Sequence, residues 1–168
     1  MSLSVRSRQK SYLIDPWLIR RIAKWVLDIT EPNAVDKVKL CEHELSVFII
    51  GLEEMSRLNF SSLRHEGATD VITFDYSDYG KAPKCGPILG DLYICPAVAE
   101  ENAKDFGATF AQEITRYLIH GILHLRGYDD KNKASRKIME QEENRLMNEA
   151  LSCFPLSSLV KEPKTKRG

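Results

Sequence analysis

The chain has 168 residues, 43% of them hydrophobic and 29% charged, and its formal net charge is zero. That length allows one domain with a real core, and the apolar share argues against disorder. Without a run of about 18 apolar residues no membrane-spanning helix is expected, and the polar, basic stretch Ser4 to Lys10 lacks the apolar centre of a signal peptide.

In chain order, residues 2–6 suggest a weak strand. Pro16–Asp28 reads as an amphipathic helix, with Trp17, Leu18, Ile22, Trp25, Val26 and Ile29 at helical spacing and Asp15 as cap before Pro16. Leu45–Gly51 is short, β-branched and aromatic, so a strand is expected there, and Leu52–Leu63 follows as a helix. Val71–Tyr76 and Asp91–Cys95 are two further strands. The segment between them, Ser77–Pro87, holds Gly80, Pro83, Gly86 and Pro87 and reads as a loop, so the two strands should pair antiparallel. Helices are expected at Ala97–Phe106, Phe110–Arg126 and about Lys133–Leu151, with Thr109 and Gln112 forming a capping box. The layout is α+β: one domain over 1–160, with a small mixed sheet of about four strands packed against about five helices. Residues 161–168, KEPKTKRG, read as a disordered basic tail.

Cys41, Cys85, Cys95 and Cys153 form no CxxC pair, so neither a disulfide framework nor a zinc finger is expected, and reduced cytosolic thiols fit best. Basic side chains gather toward both ends of the chain. Such ends can meet a polyanion or can simply be solvated.

The segment Thr109–Asp130 reads TFAQEITRYLIHGILHLRGYDD. His120 and His124 are four apart and share one helical face. Phe110, Ile114, Leu118, Ile119, Leu123 and Leu125 make the rest of that helix apolar, so it should be buried, and two buried imidazoles need polar partners. Gly127 can end the helix in a left-handed turn, after which Asp130 can swing back toward the histidines. Two nitrogens, one oxygen and a position left for water make a catalytic rather than a structural zinc pattern. An ion there would acidify its water and polarise the bond under attack. Each residue also has a plainer reading. Histidines at this spacing are often ordinary hydrogen-bonded residues, and Asp130 or Asp129 could cap the next helix. His43 and His65 lack comparable companions, although His65 lies in a loop that could approach the site.

The same spacing occurs in zinc peptidases of HExxH type, whose glutamate is the general base. That position here is Gly121. Glu113 lies two turns earlier on the same face, too far to act as the base directly, and a role in supporting the ligands or in the structure suits it better.

The stretch HGILHLRGYDD resembles the HGxLHLxGYDH signature of the YbeY endoribonucleases, the bacterial rRNA maturation factors. LNF…TDVITFDY at 58–76 and LGDLYICPAVAEENA at 89–103 are similar to that family's LN…TDVLSFP and LGDIVIC-P blocks, in the same order, so the resemblance spans roughly 40–150. It implies a cytoplasmic, metal-dependent, single-strand-specific endoribonuclease acting in 16S rRNA 3′-end maturation and ribosome quality control. The ion would be zinc, one per chain, and the partners single-stranded RNA and the ribosome or its small subunit. The resemblance maps ligands onto His120 and His124, with the family's third histidine falling on Asp130. A family arginine thought to act on substrate falls on Leu63, so its neighbour Arg64 is the candidate catalytic residue, with Arg116 or Arg126 as possible helpers. Tyr128 and Phe74 are candidate platforms for stacking bases. The competing readings are a metal-dependent peptidase or other hydrolase, and a non-catalytic ribosome-associated factor whose metal only stabilises the fold.

Overall fold

A computed structural model of the chain describes residues 1–31, 43–77 and 87–161. Cys41, Cys85, most of the Ser77–Pro87 loop and nearly all of the basic tail lie outside these residues. The elements run β1 (Ser2–Ser7), α1 (Pro16–Ile29), β2 (Glu44–Ile49), α2 (Leu52–Leu63), β3 (Val71–Asp75), β4 (Leu89–Ile94), α3 (Pro96–Phe106), α4 (Phe110–Leu125) and α5 (Lys133–Cys153). A short 3-10 turn, Leu156–Ser158, follows.

The sheet is mixed, with strand order β1-β2-β4-β3. β1 pairs parallel with β2 and β2 parallel with β4, while β3 runs antiparallel to β4, Val71 opposite Ile94. The weak strand at the start of the chain is therefore real, and it forms one edge. Its place follows from the alternation along β2. Leu45, Val47 and Ile49 join the large core, whereas Phe48, together with Ile50 just beyond the strand, joins a smaller cluster with Met55, Ile72 and Cys95. A strand apolar on both faces needs cover on both. The smaller cluster includes Met55 and Leu58 of α2, and the larger one includes the buried faces of α1, α4 and α5.

In α1 the buried residues are Leu18, Ile19, Ile22, Ala23, Val26 and Leu27, and the Asp15 side chain accepts a hydrogen bond from the Trp17 amide. Trp17 departs from the expected pattern. It is 72% exposed, because it lies off the stripe that Leu18 and Ile22 define. Trp25 instead packs edge-on against Phe154.

His43 is buried, and its Nδ1 accepts from the Ile88 amide at 3.0 Å. That bond ties the start of β2 to the chain entering β4 and gives His43 a structural role. Arg126 is only 1% exposed. It donates to the Leu27 carbonyl at 2.8 Å and to Thr30 Oγ1 at 3.1 Å, and it pairs with the Glu31 carboxylate at 3.1 Å. The ion pair falls short of hydrogen-bond geometry at Glu31 Oε2. Arg126 therefore clamps the end of α4 to the end of α1 and does not face a substrate, which corrects its reading as a phosphate helper.

No helix among the described residues is long and apolar enough to cross a membrane. The central helix is α4, which touches α1, α3, α5, β3 and β4 and is buried along most of its length. That setting fixes where its two histidines point.

Candidate metal centre

Helix α4 is defined sharply at both ends. At its start Thr109 Oγ1 accepts from the Gln112 amide at 3.1 Å and the Thr109 amide donates to Gln112 Oε1 at 2.9 Å, the reciprocal box read from the sequence. At its end Gly127 takes φ 94°, a region that glycine enters without steric cost. The Gly127 amide then donates to the His124 carbonyl, and the Tyr128 amide donates to the Leu123 carbonyl. This reversal carries the Tyr128 carbonyl back to His124 Nδ1, at 3.1 Å.

The two imidazoles are held from behind. His124 Nδ1 faces a carbonyl, which can only accept, so that nitrogen carries the proton. His120 Nδ1 faces Glu143 Oε2 at 2.8 Å, and the same argument applies. Both Nε2 lone pairs are thereby turned inward, the two atoms 3.0 Å apart. Asp130 brings a carboxylate oxygen to them, so that one ligand atom from each of the three residues lies within 4.8 Å of the others.

Asp130 does not cap the next helix, and neither does Asp129. Asn132 caps it, accepting from the Ser135 amide at 2.9 Å, while Arg136 binds the Asp130 carbonyl at 3.0 Å. The Asp130 carboxylate stays exposed on the side of the histidines. Replacing Asn132 by alanine is expected to cost about 1 kcal/mol of stability, and Asp129→Ala should cost less. Urea unfolding of the two variants checks the assignment.

The electrostatics separate the two rings. Burial lowers the His120 pKa, but the hydrogen bond and charge of Glu143, helped by Asp70 and Asp130, outweigh it and the net direction is up. Burial and the neighbouring His120 push His124 down. Burial raises Glu143, yet its bonds to His120 and Arg116 prevail and keep it below the ordinary carboxylate range.

Glu143 and Arg116 were not singled out as a pair in the sequence. Glu143 lies on α5 within the buried series Met139, Leu146, Met147 and Ala150. An acidic residue at a core-facing position of an amphipathic helix was the available signal. Arg116 Nη1 bonds Glu143 Oε1 at 2.6 Å and Asn144 Oδ1 at 3.0 Å. It is thus engaged behind His120, which corrects its reading as a phosphate helper. Of the two roles open to Glu113, the support of His120 falls to Glu143, and the buried Glu113 keeps the structural one. It borders a groove of about 410 Å³ between α4 and α5. Asp70, just before β3, is a further carboxylate whose charge is felt at His120.

Arg64 ends α2 in the left-handed conformation, φ 57°, with its guanidinium 5.8 Å from the centre of the Phe60 ring. It is exposed and is not one of the three converging residues, and the same holds for His65. Tyr128 packs against the large core, and Phe74 meets Tyr93 edge-on. Both are partly buried and serve as packing residues.

The model of one protein family, described as endoribonuclease YbeY, matches residues 4–151. Among similar curated proteins, an endoribonuclease YbeY of Parabacteroides distasonis is 38% identical over 112 residues, 67% of this chain and 72% of that protein. The one from Salinibacter ruber is 31% identical over 153 residues, covering 89% and 92%. A solution structure of a Thermotoga maritima protein aligns with TM-score 0.54 and 25% identity over 98% of this chain and 99% of its own.

Proposed function

The chain belongs to the endoribonuclease YbeY family, and from that premise we propose that it hydrolyses single-stranded RNA with one zinc ion held by His120, His124 and Asp130. The observation that carries this reading is the pair of Nε2 atoms 3.0 Å apart, each ring anchored through its other nitrogen, with a carboxylate beside them. The donor set, two imidazole nitrogens and one carboxylate oxygen, fits a borderline-soft ion such as zinc. When bound, the ion supplies Lewis acidity toward a phosphoryl oxygen and toward water.

The chain's own residues do the rest. Glu143 and the Tyr128 carbonyl orient the two rings. The exposed Asp130 closes the ligand set. Arg64, free to leave the Phe60 ring, offers a fixed positive charge to the phosphate that gains negative charge during cleavage. The natural substrate would be the 3′ end of 16S rRNA on the small ribosomal subunit, in the cytoplasm, as the family resemblance implies.

A peptidase reading has little support. The position of the peptidase glutamate is Gly121, and a Cβ there would lie 2.0 Å from Leu92 Cδ1. The test is incubation of the purified protein with single-stranded RNA, duplex RNA and a peptide pool, with and without a chelator. Cleavage of single-stranded RNA alone is expected, abolished by the chelator and restored by zinc. Chelator-sensitive peptide cleavage with intact RNA would overturn the proposal.

A further inference from the structure

We propose that Glu143, steadied by Arg116, is the positioning residue that aims His120 Nε2 at the metal, an inference that rests on the metal reading above. Glu143 reaches His120 from a different helix, α5, and divides its two oxygens. Oε2 accepts a hydrogen bond from His120 Nδ1–H at 2.8 Å, and Oε1 accepts one from the Arg116 guanidinium at 2.6 Å.

A simple tie between α4 and α5 would need only the bond to Arg116. Burying a carboxylate among Met139, Leu146 and Met147 carries a desolvation cost that a lone ion pair seldom recovers. The second oxygen on His120 gives the arrangement its use. A carboxylate accepting from Nδ1 fixes the tautomer that leaves Nε2 free, limits ring rotation and makes the imidazole a stronger donor. His124 has a carbonyl in the same place, so the two ligands are oriented unequally: one by a fixed backbone dipole, the other by a full charge that Arg116 itself restrains. The chain thus supplies three ligand residues from one short stretch and completes their support from α5.

The test uses the full chain and does not depend on turnover. Zinc affinity is measured by competition with a chromophoric chelator for wild type, Glu143→Ala, Glu143→Gln and Arg116→Met, each checked for folding by circular dichroism. Glu143→Ala should weaken zinc binding by about 10–100-fold. Glu143→Gln keeps an acceptor without the charge and should fall between the two, and Arg116→Met should show a smaller loss. In the metal-free protein, well above the pH at which histidine titrates, ¹⁵N spectra should show His120 protonated at Nδ1 in wild type and as a tautomer mixture in Glu143→Ala. A tie between helices alone would move neither readout. Wild-type affinity in folded Glu143→Ala, or in Glu143→Gln where the alanine variant fails to fold, would overturn this proposal while leaving the metal reading intact. Absence of zinc binding by the wild type would overturn both.

Discussion

Replacing His124 by alanine is expected to reduce cleavage of single-stranded RNA by about a thousandfold or more and bound zinc to near zero. Two nitrogens and one carboxylate are few ligands, so losing one leaves a pair that cannot compete for zinc. A thousandfold loss corresponds to about 4 kcal/mol of transition-state stabilisation, the scale of removing a Lewis acid from a phosphoryl group. The fold should survive. Outside the ligand cluster, His124 gives the structure its hydrogen bond to the Tyr128 carbonyl, worth about 1 kcal/mol. Cleavage rates, metal content and a urea melt on one preparation separate the two effects. Full activity in a folded, zinc-free variant would sink the assignment. Asp130→Ala should be milder than His124→Ala, because the carboxylate is exposed and water can take its place. Asp130→His, which restores the residue of the family signature, should retain zinc and activity.

The second large effect concerns Gly121. A Cβ at this position would meet Leu92 Cδ1 at 2.0 Å and Leu92 Cγ at 3.0 Å, and Leu92 is fully buried in β4. Helix propensity favours alanine over glycine by about 1 kcal/mol, but overpacking costs more. Gly121→Ala is therefore expected to lose up to about 2 kcal/mol net in urea unfolding, the overpacking cost less the propensity gain. Gly121→Glu, which would recreate the peptidase pattern HExxH, adds a carboxylate to the same contact with no partner and should yield no cooperatively folded protein. Recovery of a soluble Gly121→Glu protein within about 1 kcal/mol of wild type would show that α4 can move off the sheet more easily than its packing implies.

Much of this could be read in the sequence, because local chemistry carries local structure. Gly127 announces the left-handed turn, Thr109 with Gln112 announces the start of α4, and four-residue spacing puts His120 beside His124. These signals act within one turn of helix. Long-range matters were less legible. The edge strand β1 finds its partner only through β2, more than forty residues away, so its own short pattern was weak. Arg116 and Arg126 look alike in sequence, one on the signature helix and the other at its end. One faces Glu143 and the other faces Leu27, Thr30 and Glu31, and only the packing of α5 and α1 against α4 decides which. Glu113 drew notice because it lies near His120 in the chain, whereas the bond to His120 comes from Glu143 on α5.

The three candidate ligands all fall within residues 120–130. An unfolded chain keeps that stretch intact, so denatured protein would still chelate zinc to some degree. Ligand linkage then makes the heat stabilisation on adding metal a measure of how much better the native state binds than the denatured one, not of affinity itself. A modest rise in melting temperature would thus be compatible with tight loading. The part of that rise which disappears in Glu143→Ala would report what tertiary structure contributes beyond the bare peptide.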